Sequence, residues 1–298
     1  MSGLRLIAPA KLNLYLHVLG RRADGYHLLD SLVAFTAFGD QLSVWPDSAL
    51  SLQITGPFAD GIGPLVRNLV LRAANGLAQA AGINQPGAPG ARIELVKNLP
   101  PASGIGGGSS DAAATIRLLS KLWNVTLEPE QEHKLALGLG ADVPVCLFGA
   151  PALMRGIGET LAPAPALPPL YVLVANPGIA MPTGPVFEKL AGRFGACAPP
   201  LPEMADATAV ARWLAGQRND LQPPAIELAP EIGVFLDAMA ALPGCLLARM
   251  SGSGASCFAL FATAEAMNGA AAILKLRRPV VWHAATEILH TRPAIQTC

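Results

Sequence analysis

Pro100-Pro101-Ala102-Ser103-Gly104-Ile105-Gly106-Gly107-Gly108-Ser109-Ser110-Asp111, followed by Ala112-Ala113-Ala114-Thr115-Ile116-Arg117-Leu118-Leu119, joins a glycine-rich loop to a strong helix former. Four glycines in five positions leave the backbone free to take positive φ and bring bare N–H groups close to an anion. Ser109 or Ser110 is suited to cap a helix starting there, whose N-terminal dipole favours negative charge. On glycine content alone an ordinary tight turn is an equal reading. The preceding Ala91-Arg92-Ile93-Glu94-Leu95-Val96 has strand character, however, and the order strand, glycine loop, helix favours a cradle for the phosphates of a nucleotide triphosphate. The loop is neither a Walker loop, since no lysine follows its glycines, nor GxGxxG, since Ser109 stands at the third glycine.

Outward from this loop the chain divides into two halves. The first ~60 residues read as strands at 4–7, 12–18, 28–38, 41–45 and 50–55, which predicts a mostly antiparallel sheet. Helical spacing follows at 68–81, then at 109–123 and 128–139. The proline-rich stretch 162–169 is the best candidate for a seam, because proline disfavours both helix interiors and central strands. Residues 1–162 and 163–298 are therefore expected to be two domains. Beyond the seam a strand at 170–175 precedes helices at 185–190, 208–217 and 230–242. The end of the chain reads strand 246–250, Gly/Ser turn 251–256, strand 257–261, helix 264–276 and strand 280–284, a pattern that can form a split β-α-β layer in an α+β fold. The Gly/Ser turn alone reads first as a hairpin connection. Residues from Ile288 onward are expected to be a loosely tied tail without function.

Composition narrows the function classes. A chain of 298 residues with 52% hydrophobic content can bury sizeable cores, and its net charge of zero gives no support to nucleic-acid binding. No signal-peptide pattern opens the sequence and no apolar run approaches the ~20 residues of a membrane span, so a cytoplasmic protein acting on a small molecule, with no membrane partner, is expected. Cys146, Cys197, Cys245, Cys257 and Cys298 form no CxxC pair, and the histidines form no HExxH, so neither a disulfide scaffold nor a protein-held metal is expected. The oligomeric state is left as monomer or weak homodimer.

Three segments in order, Pro9-Ala10-Lys11-Leu12-Asn13-Leu14, the loop at 100–111 and Ser251-Gly252-Ser253-Gly254-Ala255-Ser256, resemble the three motifs of the GHMP kinase superfamily. Asp24-Gly25-Tyr26-His27, Gly140-Ala141-Asp142-Val143-Pro144 and Gly156-Ile157-Gly158-Glu159 resemble the branch that phosphorylates the 2-hydroxyl of a cytidine-diphosphate conjugate of methylerythritol, on the non-mevalonate route to isoprenoid precursors. The resemblance implies the two-domain α+β GHMP kinase fold, a ribosomal-protein-like domain followed by a ferredoxin-like one, with ATP and Mg²⁺ at a site between them. Phosphoryl transfer needs positioned phosphates, neutralised charge and a placed hydroxyl more than covalent help.

By the same resemblance Asp142 accepts or orients the hydroxyl proton, and Lys11 offsets the charge beside it. The nucleotide falls to Pro100, Pro101, Ala102, Ser103, Gly104, Ile105, Gly106, Gly107, Gly108, Ser109 and Ser110, with Gly252, Ser253 and Gly254 closing over it. Ser109 or Ser110 is available to phosphate or Mg²⁺, and Asn68 and Lys97 match contacts to the adenosine end. Asn68 also reads as an N-cap and Lys97 as a strand-end charge. Tyr26 and Phe187 are expected to sandwich the cytosine, His27 to read its edge, and Thr183 and Asn13 to complete the acceptor site. Asp111 departs from the asparagine usual there and is expected to point away from phosphate. Ser103, where glycine is frequent, implies a position with no need of positive φ. A kinase for homoserine, mevalonate or a sugar is the nearest alternative, and it has no use for a base-stacking pair. A non-catalytic paralogue is the other, and retention of Lys11 with Asp142 argues against it.

Overall fold

The computed structural model describes residues 2–63, 68–85 and 87–298. Two long strands, β1 (Leu4–Arg21) and β2 (His27–Asp47), pair antiparallel around the turn at 22–26. The sequence reads each as two shorter strands. They run on because register shifts between Pro9 and Lys11, Asn13 and Tyr15, and Val18 and Gly20 absorb the breaks in alternation. A bulge tolerates a proline that has no N–H for the ladder, and it re-aims the side chains next to it. Lys11 and Asn13 lie between two of these irregularities, which is where the fold sets their direction.

β3 (Leu50–Thr55) runs parallel to β4 (Gly90–Val96), and β4 pairs with the far half of β2. Helices α1 (Leu69–Ala80), α2 (Gly107–Leu122), α3 (Pro129–Leu139) and α4 (Val143–Phe148) follow the same half of the chain. β5 (Ala152–Gly156) pairs with the near half of β2 and carries β6 (Thr160–Pro163). Val33, Phe35, Leu42 and Val44 of β2 meet Val70, Leu77, Ile116 and Leu119 of α1 and α2 in one core. Each fully buried side chain of this kind contributes roughly 1.5–3 kcal/mol by leaving water.

The second sheet is made of β7 (Tyr171–Asn176), β8 (Leu247–Met250), β9 (Cys257–Phe261) and β10 (Trp282–Glu287), in the order β10-β7-β9-β8 with every pair antiparallel. The chain crosses from β9 to β10 through α9 (Ala264–Arg277) with β7 between them, which is the split β-α-β layer expected of the C-terminal pattern. Both faces of this sheet are covered. Leu173, Ala175, Ala259 and Phe261 pack with residues of α5 (Thr183–Lys189), α7 (Gln222–Leu228), α8 (Glu231–Ala240) and α9. Val172, Val174, Phe258 and Leu260 pack against Leu12, Leu14 and Leu32 of the first sheet and against α6 (Ala207–Ala215). Burial on both faces explains why β9 reads as an unbroken apolar run.

The tail differs from expectation. Ile288 is buried, its N–H reaches Leu170 O at 2.9 Å, and Leu289 N–H reaches Phe35 O at 2.7 Å. β11 (Gln296–Thr297) then pairs with Leu4 and Arg5, so the C-terminus closes the edge of the first sheet. A terminus is loose only when its backbone lacks partners, and this one has them. The short elements α4, α7, β5 and β6 are not legible in the sequence, being too brief to show a period.

Candidate active site

Between the two halves lies a cavity of about 980 Å³, at the upper end of the ~300–1,000 Å³ usual for small-molecule sites. One wall is the start of α2. Gly106 caps this helix at φ 64°, a left-handed conformation open to glycine, with no side-chain cap. The helix therefore begins at Gly107, ahead of the serines expected to cap it. Its first internal backbone bond runs from Ser110 N–H to Gly106 O at 2.9 Å, which leaves the amides of Gly107, Gly108 and Ser109 without helical partners on the cavity wall. Unpaired amides and the helix dipole together favour an anion there. Ser103 lies outside the left-handed region, whereas Ala102 takes φ 50°.

The three glycine- and lysine-bearing segments interlock. Ser251 Oγ accepts from Asn13 N–H at 3.2 Å and donates to Gly104 O at 3.0 Å. Ser256 N–H donates to Ser103 O at 3.0 Å, and Lys11 N–H to Ile105 O at 2.9 Å. Gly104 has φ 77°, and a Cβ there would stand 2.6 Å from Ser251 O and 2.7 Å from Gly254 O. The two glycine turns thus press backbone to backbone beneath the cavity.

Lys11 is 4% exposed, and its Nζ lies 3.1 Å from Asp142 Oδ2 while donating to Asn13 Oδ1 at 2.9 Å. Asn13 Nδ2 in turn donates to Ser31 Oγ at 2.9 Å, and that hydroxyl donates to Tyr15 O at 2.5 Å. The chain Ser31–Asn13–Lys11–Asp142 is buried at one end and opens to the cavity at Asp142, whose side chain is 37% exposed. Asp142 sits just ahead of α4, where Val143 and Pro144 open the short helix and fix the backbone.

The opposite wall is aromatic. His27 stacks on Phe187 with ring centroids 4.7 Å apart and planes 27° from parallel, and Phe194 meets His27 edge-on at 6.2 Å. Tyr26 stands at the rim, 57% exposed. Burial first, and the Arg21 guanidinium second, lower the His27 pKa below its ordinary value, so the ring is neutral at pH 7. Thr183 Oγ1 and Ser253 Oγ are 2.9 Å apart and join α5 to the Gly/Ser turn.

Lys11, Asn13, Tyr26, His27, Pro100, Pro101, Ala102, Ser103, Gly104, Gly106, Gly107, Gly108, Ser109, Asp142, Thr183, Phe187, Gly252 and Ser253 all line this cavity. Five expected residues do not. Ile105 is fully buried and contributes its carbonyl to Lys11 N–H. Ser110 is buried and donates to Cys146 Sγ at 3.4 Å. Gly254 closes the turn onto Ser251 O, and Asn68 caps α1 by accepting from Val70 N–H at 2.8 Å. Lys97 is 2% exposed, and its amine is held by Asp40 and, at 2.7 Å, by Asp111 Oδ2. Its backbone is also engaged, with Thr55 O and Phe58 N–H. Arg21 and Phe194 line the cavity without having been singled out. Arg21 adjoins the Asp24–His27 segment and carried a charge signal, whereas Phe194 lies in an aperiodic loop that carried none.

Asp111 points inward beneath α2, away from the cavity, as expected. Its Oδ1 is the one buried side-chain oxygen or nitrogen without a partner among the described residues. Burial pushes its pKa above the ordinary carboxylate value; Lys97 opposes the shift and Asp40 adds to it. For Lys97, burial pulls the pKa down, but the two carboxylates outweigh it and leave the amine above the ordinary lysine value.

Two sheets enclose a cavity between a free helix start and a Lys–Asp pair, and the family models matching the chain place it in the GHMP kinase class. The family models "GHMP kinases N terminal domain" and "GHMP kinases C terminal" match residues 68–150 and 201–278. A protein named 4-diphosphocytidyl-2-C-methyl-D-erythritol kinase from Paramagnetospirillum magneticum is 49% identical over 97% of this chain and all of its own length. One of the same name from Cereibacter sphaeroides is 52% identical over 92% of this chain and 95% of its own. The crystal structure of a 4-(cytidine 5'-diphospho)-2C-methyl-D-erythritol kinase aligns with TM-score 0.76 at 37% identity, covering 96% of this chain and 99% of that one. A homoserine kinase from Cytophaga hutchinsonii shares the fold with TM-score 0.69 at 20% identity, over 99% and 97% of the two chains. The chain belongs to the 4-diphosphocytidyl-2-C-methyl-D-erythritol kinase family.

Proposed function

We propose that the chain transfers the terminal phosphoryl group of ATP to the 2-hydroxyl of 4-diphosphocytidyl-2-C-methyl-D-erythritol, giving the 2-phosphate and ADP, on the non-mevalonate route to isoprenoid precursors. The observation that carries this reading is the Lys11–Asp142 pair at 3.1 Å, in one cavity with the free amides of α2 and the His27–Phe187 stack. Asp142 accepts or orients the proton of the acceptor hydroxyl, since it is the open end of a buried hydrogen-bonded chain. Lys11, held in place by Asn13, offsets charge at the reacting oxygen. The amides of Gly107, Gly108 and Ser109 bind phosphate oxygens, and Gly252 and Ser253 cover them. Tyr26, exposed at the rim, and the His27–Phe187 stack hold the cytosine. His27 already occupies a face of Phe187, so the base shares that stack with it rather than taking Phe187 alone.

Mg²⁺ supplies neutralisation of phosphate charge when bound. The oxygen donors on the cavity wall, the Ser109 hydroxyl and the Asp142 carboxylate, suit a hard cation that keeps phosphate and water among its ligands. Ser109, with its hydroxyl on the cavity wall, and the half-exposed Asp142 carboxylate are the groups that would face it. Residues 1–162 serve as the nucleotide half and 163–298 as the half completing the acceptor wall. Among the described residues no helix is long and apolar enough to cross a membrane. The reading keeps the protein in the cytoplasm, as a monomer or weak homodimer.

Phosphorus and carbon NMR of the product tests the reading. A single new phosphomonoester on the branched carbon is expected. Phosphate on another hydroxyl, or inorganic phosphate alone, contradicts it.

A further inference from the structure

Lys97 and Asp111 lie outside the cavity, yet they bracket its phosphate wall. Asp40 of β2 accepts the backbone N–H of Asn98 at 2.6 Å and of Leu99 at 2.8 Å through Oδ1. Its Oδ2 accepts from Lys97 Nζ, which also donates to Asp111 Oδ2 in the second turn of α2. Asn98 Nδ2 ties the same strand end to Gly39 O at 3.0 Å. The three ionisable side chains are 0–5% exposed. A Cβ on Gly107 would stand 3.2 Å from Lys97 Nζ and 3.6 Å from Asp40 Oδ2, so the cluster lies directly under the first residue of the helix. The chain leaves β4 after Val96 and enters α2 at Gly107, and the cluster holds both residues 97–99 at the near end of the loop and the first turns of the helix at its far end.

We propose that Asp40, Lys97 and Asp111 form a buried ionic buckle that closes the base of the phosphate loop and positions the amides of Gly107–Ser109. The Lys97 amine is then a positioning group that acts through Asp40 and Asp111. Burying three ionisable groups is costly, and a cluster of this kind is best understood as fixing one geometry. The geometry it fixes is the distance between the end of β4 and the start of α2, on which an anion cradle of backbone amides depends. The inference rests on the reading that this loop binds a triphosphate.

Asp111→Leu is the first test, because it leaves Lys97 paired with Asp40 and fills the vacated volume. Calorimetric titration with a non-hydrolysable ATP analogue and Mg²⁺ is expected to give a Kd raised ~10-fold or more, the loss of about one hydrogen bond to a charged phosphate. KM for the cytidine acceptor should stay within ~3-fold. Asp111→Asn, which keeps an acceptor oxygen for Lys97, is expected to recover nucleotide affinity to within ~3-fold. Lys97→Met and Asp40→Asn should weaken the same affinity, and their double variant should show less than the product of the two effects. A folded Asp111→Leu with unchanged analogue Kd and only a lower Tm makes the cluster merely structural and overturns the proposal. Independent, multiplying effects with Lys97→Met dominant make Lys97 a direct ligand and overturn it too. If the unmutated chain fails to bind the analogue, the kinase reading itself is at fault, a result distinct from both.

Discussion

Lys11 Nζ and Asp142 Oδ2 stand 3.1 Å apart, the lysine side chain 5% exposed and the aspartate 37%. The asymmetry matters because the cation is immobilised by Asn13 inside the fold, while the carboxylate it pairs with faces the cavity. Asp142→Asn keeps the shape and removes the proton acceptor. Turnover is expected to fall by at least ~100-fold, the lower range for loss of a positioned acid–base group, with nucleotide affinity preserved. Near-normal turnover in a steady-state ADP assay removes Asp142 from the chemistry.

Ser251 joins two motifs through one hydroxyl, accepting from Asn13 N–H and donating to Gly104 O. Ser251→Ala leaves the buried Asn13 N–H and the half-buried Gly104 O without that partner, which costs about 1–3 kcal/mol of stability for the buried amide. Denaturant unfolding checks the stability and KM for ATP checks the site. Both are expected to shift, and a variant unchanged in both contradicts the interlock.

Tyr26 is the most exposed of the aromatic residues on the acceptor wall. Tyr26→Ala is expected to raise KM for the cytidine-bearing acceptor ~10-fold, the loss of a stacking interaction of ~1–2 kcal/mol, with KM for ATP unchanged. An unchanged acceptor KM removes Tyr26 from base binding.

His17 fastens β1 to the second half of the chain. Its Nδ1 is 3.1 Å from Ala196 O, and its Nε2 accepts from Arg218 N–H at 3.1 Å, an arrangement that requires the neutral ring. Burial first, and Arg218 second, lower its pKa below the ordinary value. The unfolded chain takes up the proton near pH ~6.5. Below that pH the unfolded state holds a proton that the folded state refuses, so stability falls as pH drops from ~6.5 towards the folded value and is unaffected above. The Tm gap between the unmutated chain and His17→Gln should therefore narrow from pH 7.5 to 5.5. A constant gap contradicts the assignment.

Much of this site was legible because its residues carry local signals. The glycine loop announces a helix start with free amides, and the split β-α-β pattern announces the second sheet. The resemblance names Lys11, Asp142 and Phe187, and one cavity brings the three together. The start of α2 was misjudged because the serines outrank glycine as caps, yet Gly106 can take the left-handed φ that sets the first turn. The resemblance directs Lys97 toward the nucleotide, and its partner Asp40 lies 57 residues away, a distance across which pattern shows nothing. The tail looked loose for the same reason, since its partners Phe35 and Leu4 are at the other end of the chain.

The most direct test of the account is ADP release from ATP and Mg²⁺ with 4-diphosphocytidyl-2-C-methyl-D-erythritol, beside homoserine, mevalonate and galactose. The account predicts rapid Mg²⁺-dependent release with the cytidine conjugate alone. Equal release with another acceptor, or none with any in a folded sample that binds ATP, contradicts it.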